Sequence, residues 1–358
     1  MLTKKIFFMN EKSRLLNIVD NFDNKEIIVA GDIMLDLTEE GHGSESPEDA
    51  CFIIKNPETS FAPGGAGNVY SNILSLNGKP YLCGVIGKDN LSIVLLAELN
   101  CKLKKKYSTG ELDGIVSIPD RKTTLKRRTF KRESHYRRQL VRVDNEEYTP
   151  IDKATAEKVI NGLKEKAKEG TNFKIFSFSD YSKGFLTNES VEMLRSFCKE
   201  YGIRTIVDPK PSLQDPDKIL KFVGCYGFKP NLKEAEYISG INFKGSKEKN
   251  NLNDIAKKSM DLLKPEGFLL ITDGENGMHL FYPDGKFEYL PVVNKGALDI
   301  TGAGDTSLAA LSLSLAANAS IIDAAKVANY AGSIAVKKKG TASVLKKELT
   351  DLIDDPGF

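Results

Sequence analysis

The chain is poor in the residues that much enzyme chemistry borrows. Its three histidines, His42, His135 and His279, form no HExxH and match no metal-site spacing. That gives no support to a metallohydrolase or to histidine-based acyl transfer. The five cysteines, Cys51, Cys83, Cys101, Cys198 and Cys225, are odd in number, widely spread and never in a CxxC pair. This argues against a disulfide framework and a zinc ribbon, and for a reducing cytoplasm. Long apolar runs are missing too: none approaches the roughly 20 residues of a membrane span, and the apolar part of MLTKKIFFMN is too short for a signal peptide. A net charge of +2 over 358 residues leaves no global bias toward nucleic acid or membrane. No GxxxxGK[ST] loop, no HRD with DFG and no GxGxxG after a strand occurs, which excludes P-loop, protein-kinase and dinucleotide-binding readings.

What is there alternates. Residues 11–22 have helical apolar spacing and lead into EIIVAGDIML, a buried-looking strand. CFIIK, the glycine-rich PGGAG, the helical NVYSNILSLNG and the strand PYLCGVIG follow. After Pro150 come helix 152–168, strand KIFSFSD, helix 187–201, strand IRTIVD, a short helix and strand CYGFKP. Helices 231–239 and 252–264, strand GFLLITDG, the strand-like MHLFY and KFEYLPV, and two alanine-rich helices complete the chain. This β–α alternation predicts an α/β fold: one doubly wound, mostly parallel sheet flanked by helices. Between about 112 and 146 the runs IVSIPD, TTLKRRTF and RQLVRVD are short, charged and free of helix. With about 37–60 they are expected to form a small antiparallel β lid inserted in a single domain.

Four stretches carry chemistry. In DITGAGDTS (299–307), Gly302, Ala303 and Gly304 would aim backbone N–H groups at a phosphate, with Asp305 beside them to handle a proton; a plain helix start capped by Asp299 or Thr301 is the alternative. In PGGAGN (63–68), Gly64, Gly65 and Asn68 would meet sugar hydroxyls, or make a tight turn. Asp36 is a further candidate hydroxyl acceptor. In PNLKEAE, Asn231 and Glu234 share one helix face and suit Mg²⁺, or form a capping pair. TDGENG (272–277) fits a nucleotide phosphate or a hairpin turn equally. The basic stretch 121–142 is a solvated strand face or, through a few arginines, a phosphate reader.

With those residues in hand, the chain resembles the PfkB or ribokinase family of sugar kinases from about residue 12 to 350. Within it, GDIMLD, SPEDA, PGGAGN, RQLVRVD, SDYSKG, VDPK, KPNLKEAE and ITGAGDT are similar to the D-glycero-D-manno-heptose 7-phosphate kinases of lipopolysaccharide inner-core synthesis. The chain departs from that subfamily at SESPEDAC, GGAGN and the serine of SDYSKG, all bordering the expected sugar pocket. The resemblance implies a ribokinase-like fold and ATP-dependent phosphorylation of a sugar phosphate. Asp305 would be the base, and Gly302, Ala303 and Gly304 the anion hole. Asp36, Gly64, Gly65 and Asn68 would hold the sugar, with Lys183, Lys210, Arg127, Arg128 and Arg142 as candidate phosphate contacts. Asn231 and Glu234 would organise Mg²⁺ and phosphates, while Thr272, Gly274, Gly277 and Asn329 line the ATP site. Sugar phosphate and ATP are then the expected partners, with no nucleic acid or membrane, and a homodimer through the lid. Another PfkB-type kinase, for fructose 1-phosphate, ribose or a nucleoside, and a non-catalytic sugar-phosphate sensor stay open alternatives.

Overall fold

The computed structural model describes residues 2–104, 112–133, 137–211, 216–243, 249–293 and 296–355; His135 lies outside them. After helix α1 (Leu2–Asp20), strand β1 (Glu26–Gly31) enters the centre of the main sheet. Its side chains alternate between two cores, Ile27 and Val29 into one, Ile28 and Ala30 into the other. A continuous β-branched run therefore suits a strand covered on both faces.

The EIIVAGDIML run divides after Gly31. A single residue, Asp32, separates β1 from β2 (Ile33–Glu45), which leaves the main sheet and pairs in antiparallel register with β3 (Phe52–Gly65). The chain then returns to the core through α2 (Ala66–Ser75), β4 (Lys79–Gly87), α3 (Asn90–Lys104) and β5 (Ile115–Ile118). The exit and return points are stitched together, since Ala66 N donates to Asp32 O at 3.1 Å. Strands β6 (Thr124–Arg132) and β7 (Arg137–Asn145) complete a second sheet of order β3-β2-β6-β7. Its β2–β3 and β6–β7 pairs are antiparallel, and its central β2–β6 pair is parallel. IVSIPD does not belong to this lid. Ile115–Ile118 pair in parallel with Gly84–Gly87 as the edge of the main sheet, so the second lid segment begins at 124 rather than 112.

The rest is βα alternation: α4 (Lys153–Lys168), β8 (Ile175–Ser179), α5 (Asn188–Glu200), β9 (Arg204–Asp208), β10 (Gly227–Phe228), α6 (Leu232–Ser239), α7 (Lys249–Leu263) and β11 (Phe268–Thr272). The hairpin β12 (Met278–Phe281) and β13 (Phe287–Leu290) closes the edge, and α8 (Ala303–Ala316), α9 (Ile321–Ala335) and α10 (Lys346–Asp354) follow. The main sheet has the order β13-β12-β11-β10-β9-β8-β1-β4-β5, parallel throughout except at β11–β12 and β12–β13. Residues of α1, α2, α3, α8, α9 and α10 build the core on one face, those of α4, α5, α6 and α7 the core on the other. α8 is buried all round from Asp305 to Ala316, which explains its lack of an amphipathic stripe. Among the described residues, no helix is long and apolar enough to cross a membrane.

Candidate active site

A cleft of about 560 Å³ opens at the carboxyl ends of β8–β11, under the lid. This is the edge at which open parallel sheets bind ligands. The motif DITGAGDTS sits at its centre. Neither Asp299 nor Thr301 caps α8: the N-cap is Gly302, left-handed at φ 78°, and no side chain bonds the helix start. Asp299 ties other things together, accepting from Thr301 N at 2.9 Å and Gly340 N at 2.8 Å and pairing with Arg137 of β7 at 2.5 Å. The expected anion hole would be narrower than the sequence suggests, because the Ala303 amide turns to Ile300 O at 3.3 Å. Gly304 and Asp305 are left as the uncapped amides of the first turn.

Asp305 is 4% exposed, and both its oxygens are held, Oδ2 by Asn68 Nδ2 at 2.8 Å and Oδ1 by the Tyr181 hydroxyl at 3.0 Å. Burial raises its carboxyl to about 7, against the two donors and the Lys229 charge, with Asp208 adding to the rise. Desolvation therefore outweighs the donors, and the group is poised to exchange a proton near neutrality. Asn68 does not reach into the cleft as the sequence suggested. It is buried against Asp305, and its carbonyl accepts from Asn72 at 3.0 Å, so it orients the acid. Tyr181 escaped the sequence reading, although SDYSKG was singled out for its lysine. Lys183 turns away from the cleft to Glu146 at 2.7 Å and lies 4.1 Å over the Tyr148 ring.

The lid supplies one wall. Asp36 faces the cleft and accepts from Arg128 Nη1 at 2.6 Å, and Gly64 packs so closely that a Cβ there would meet Asp36 Oδ2 at 2.5 Å. Gly65 lines the cleft at φ 57°. Arg142 also lines it, paired with Asp144 at 2.5 Å. Arg127 does not. Strand alternation puts it on the opposite face, where it forms a bidentate pair with Glu39 at 2.8 Å. Lys126, missed from the sequence, is the cleft's least compensated cation. Its acid, Glu146, lies 3.7 Å away and is shared with Lys183, and burial lowers its ammonium pKa.

The far wall comes from β9–β12 and α9: Thr272, Gly274, Gly277 and Asn329 all line the cleft. TDGENG forms the β11–β12 turn and also lines the cleft. Asn231 and Glu234 form the reciprocal capping box of α6 and also face the cleft. Glu234 takes the Asn231 amide on Oε2 and Lys210 on Oε1 at 3.1 Å, and burial, then Asp208, push its carboxyl upward. Among the described residues no cluster of three or more acidic, histidine or cysteine side chains forms a metal cage. The oxygen donors of Asn231 and Glu234 at the cleft would suit Mg²⁺ held largely through its own waters, the ion's usual habit. Lys229, also missed, is buried, 2.8 Å from Asp208, and so placed that a Cβ on Gly304 would lie 3.7 Å from its amine. Lysine before PN looked like strand residue, and only the fold brings it to the helix start.

Comparison with known proteins agrees with this geometry. Residues 124–348 match the model of the pfkB family carbohydrate kinases. The bifunctional protein HldE of Sulfurimonas denitrificans is 33% identical over 326 residues, 91% of this chain and 63% of that protein. That of Geotalea uraniireducens is 34% identical over 326 residues, 90% of this chain and 61% of that protein. The chain therefore spans about three-fifths of the length of these curated relatives. Phosphofructokinase-2 from Escherichia coli, in complex with potassium, superposes with a TM-score of 0.69 at 18% identity, covering 92% of this chain and 98% of that one. Ribokinase from Giardia lamblia gives 0.68 at 19%, covering 91% and 99%. At such identities the likeness shows the fold, which is ribokinase-like.

Proposed function

Because the chain belongs to the pfkB family of carbohydrate kinases, we propose that it transfers the γ-phosphoryl of ATP to a sugar phosphate. The acceptor proposed is D-glycero-D-manno-heptose 7-phosphate, giving the 1,7-bisphosphate, on the strength of the subfamily stretches in the sequence. The observation that carries the reaction is a buried carboxyl, Asp305, set at an uncapped helix start in a cleft walled by lid cations.

The acceptor hydroxyl gives its proton to Asp305 as its oxygen attacks the γ-phosphorus, and the bond from that phosphorus to the bridging oxygen breaks to release ADP. Such a transition state spreads charge over the phosphoryl oxygens, so fixed positive groups dominate. Here those are the Gly304 and Asp305 amides, the α8 dipole and the Lys229 ammonium. Asn231 and Glu234 would hold Mg²⁺, which would neutralise charge on the ATP phosphates. Asp36, Gly65 and Arg128 hold the sugar. Lys126, Arg128, Arg142 and Lys210, which line the cleft, receive the substrate's own phosphate; Lys126 and Lys210 lie over the ring of Tyr181 at 5.3 and 5.7 Å. The turn 272–277 and Asn329 take the nucleotide. All five cysteines are free, in keeping with work in the cytoplasm.

A coupled ADP-release assay over phosphorylated and free sugars tests this. Heptose 7-phosphate is expected to drive turnover that EDTA abolishes, and preference for fructose 1-phosphate, ribose or a nucleoside would reassign the substrate. ADP release driven by none of the sugars would leave only a binding protein. In the same assay Arg128→Ala or Arg142→Ala should raise KM for the sugar phosphate about tenfold or more and leave KM for ATP nearly unchanged, the loss of a charge-assisted contact being about 1.5–3 kcal/mol. Arg127→Ala, on the other face, serves as the control. Equal effects on both substrates would reduce the lid cations to surface electrostatics.

The homodimer through the lid has its support on that opposite face. Phe61, Val141 and Val143 are exposed there around the Arg127–Glu39 pair, on strands whose register puts them side by side. Sedimentation should show a dimer that Val143→Glu converts to a monomer; a monomeric wild type at micromolar concentration would exclude it.

A further inference from the structure

Asp305 has two holders of different kinds. Asn68 stands on α2 and needs no further support. Tyr181 stands on no helix or strand: it lies in the loop after β8, next to Ser182 at φ 56°. The loop is anchored by a buried carboxylate outside the cleft. Asp32 Oδ2 accepts from the backbone N–H of Tyr181 at 2.8 Å and of Lys183 at 3.0 Å, and its Oδ1 accepts from Phe185 N at 3.4 Å. Its own amide donates to Ser179 O at 3.2 Å, which fixes Asp32 to the end of β8. A carboxylate 4% exposed, spent on the backbone of one loop, is a costly device for an ordinary turn.

We infer that Asp32 is a positioning residue acting through Tyr181: it fixes the loop so that the Tyr181 hydroxyl aims and tunes the Asp305 carboxylate. The inference rests on reading Asp305 as the base. The groups facing Asp305 are Asn68 from α2, Tyr181 from the β8 loop, Asp208 at the end of β9, Lys210 just after it, and Lys229 beyond β10. Burial and Asp208 oppose its ionisation, while Asn68, Tyr181 and Lys229 favour it. Burial keeps the Tyr181 phenol protonated far above its ordinary range, so it donates at every working pH. Taking that donor away leaves burial less opposed, and the carboxyl must titrate higher.

The test is ¹³C NMR titration of labelled aspartate carboxyls in the full chain, with Asp305 assigned by loss of its signal in Asp305→Asn, run beside pH–rate profiles. Tyr181→Phe should move the Asp305 titration up by about one to two pH units, the weight of a hydrogen bond to a charged group. The acid limb of kcat should move with it, while KM for ATP stays within about twofold. Asp32→Asn should reproduce the shift, and the double variant should add nothing to either single one. If Asp32→Asn does not fold, Asp32→Glu carries the same test, since its longer side chain displaces the loop and keeps the charge. An Asp305 titration unmoved in Tyr181→Phe overturns the inference, as does a double variant whose shifts add. Should the wild type phosphorylate no sugar, the kinase reading falls, and the carboxyl titration still decides the roles of Tyr181 and Asp32.

Discussion

Asp305→Asn is expected to fold and to lose about 10²–10⁴ in kcat, the usual weight of a positioned general base, with KM for ATP changed little. The amide keeps the shape of the carboxylate and can still accept from Tyr181 or Asn68, but it takes no proton. Wild-type kcat/KM should rise with pH through about 7, because burial holds the carboxyl there and only its ionised form accepts. The same shift has a sign for stability. Asp305 ionises near 3.8 in the unfolded chain and near 7 in the fold, so its contribution is full below pH 3.8 and is lost as pH rises to 7. Asp305→Asn should therefore melt no lower than the wild type at pH 8, and higher if the relief of the buried charge dominates. Turnover within tenfold of wild type would remove Asp305 from the chemistry. A variant that melts well below the wild type at pH 8 would make it a structural residue.

Gly302→Ala should be nearly as damaging, for a reason of shape. The residue caps α8 at φ 78°, where a side chain costs about 1–2 kcal/mol. The added Cβ would also stand 2.6 Å from Asn68 Nδ2, so the cap and the holder of the base cannot both stay in place. A loss of about 10² in kcat, comparable to removing one oxyanion donor, is expected with modest destabilisation. Gly285→Ala is the control, because its φ of 84° carries the same backbone strain and nothing lies within 4 Å of the new methyl. If both variants lose stability and neither loses rate, the crowding at Asn68 has no catalytic consequence.

Much of this site was legible because the motifs lie at strand ends, and continuous runs such as EIIVA, IFSFS and FLLIT mark those strands with little ambiguity. ITGAGD and TDGENG stood out by their glycines, although each also fitted a plain helix start or turn. What stayed hidden depends on faces and partners that no local pattern holds. Arg127 and Arg128 are adjacent and alike, and only the register of β6 against β2 sends one to Glu39 and the other to Asp36. IVSI has the length and polarity of a lid strand, and its pairing to Gly84–Gly87 comes from a residue separation of about thirty. Tyr181, Lys229 and Asp32 carry no signature of their own: a tyrosine, a lysine and an aspartate at strand ends become site residues only when three strands bring them together. α3 and α10 carry weaker cues: the N-cap of α10 is Leu345, a residue with no capping side chain of its own, whose amide donates to Glu348 Oε2 at 2.7 Å.

The stitch between Asp32 and Ala66 gives the lid hairpin a mechanical character. β2 and β3 leave and re-enter the core side by side, with no linker between β1 and β2 beyond one residue. The hairpin is thus a lever whose fulcrum is Asp32, the residue whose carboxylate also grips the loop of Tyr181. Asp36 lies only four residues along β2 from that fulcrum, so a sugar phosphate held by Asp36 and Arg128 would sit close to the anchor of the Tyr181 loop. Grip on the substrate and aim of the proton acceptor would then depend on one short stretch of backbone.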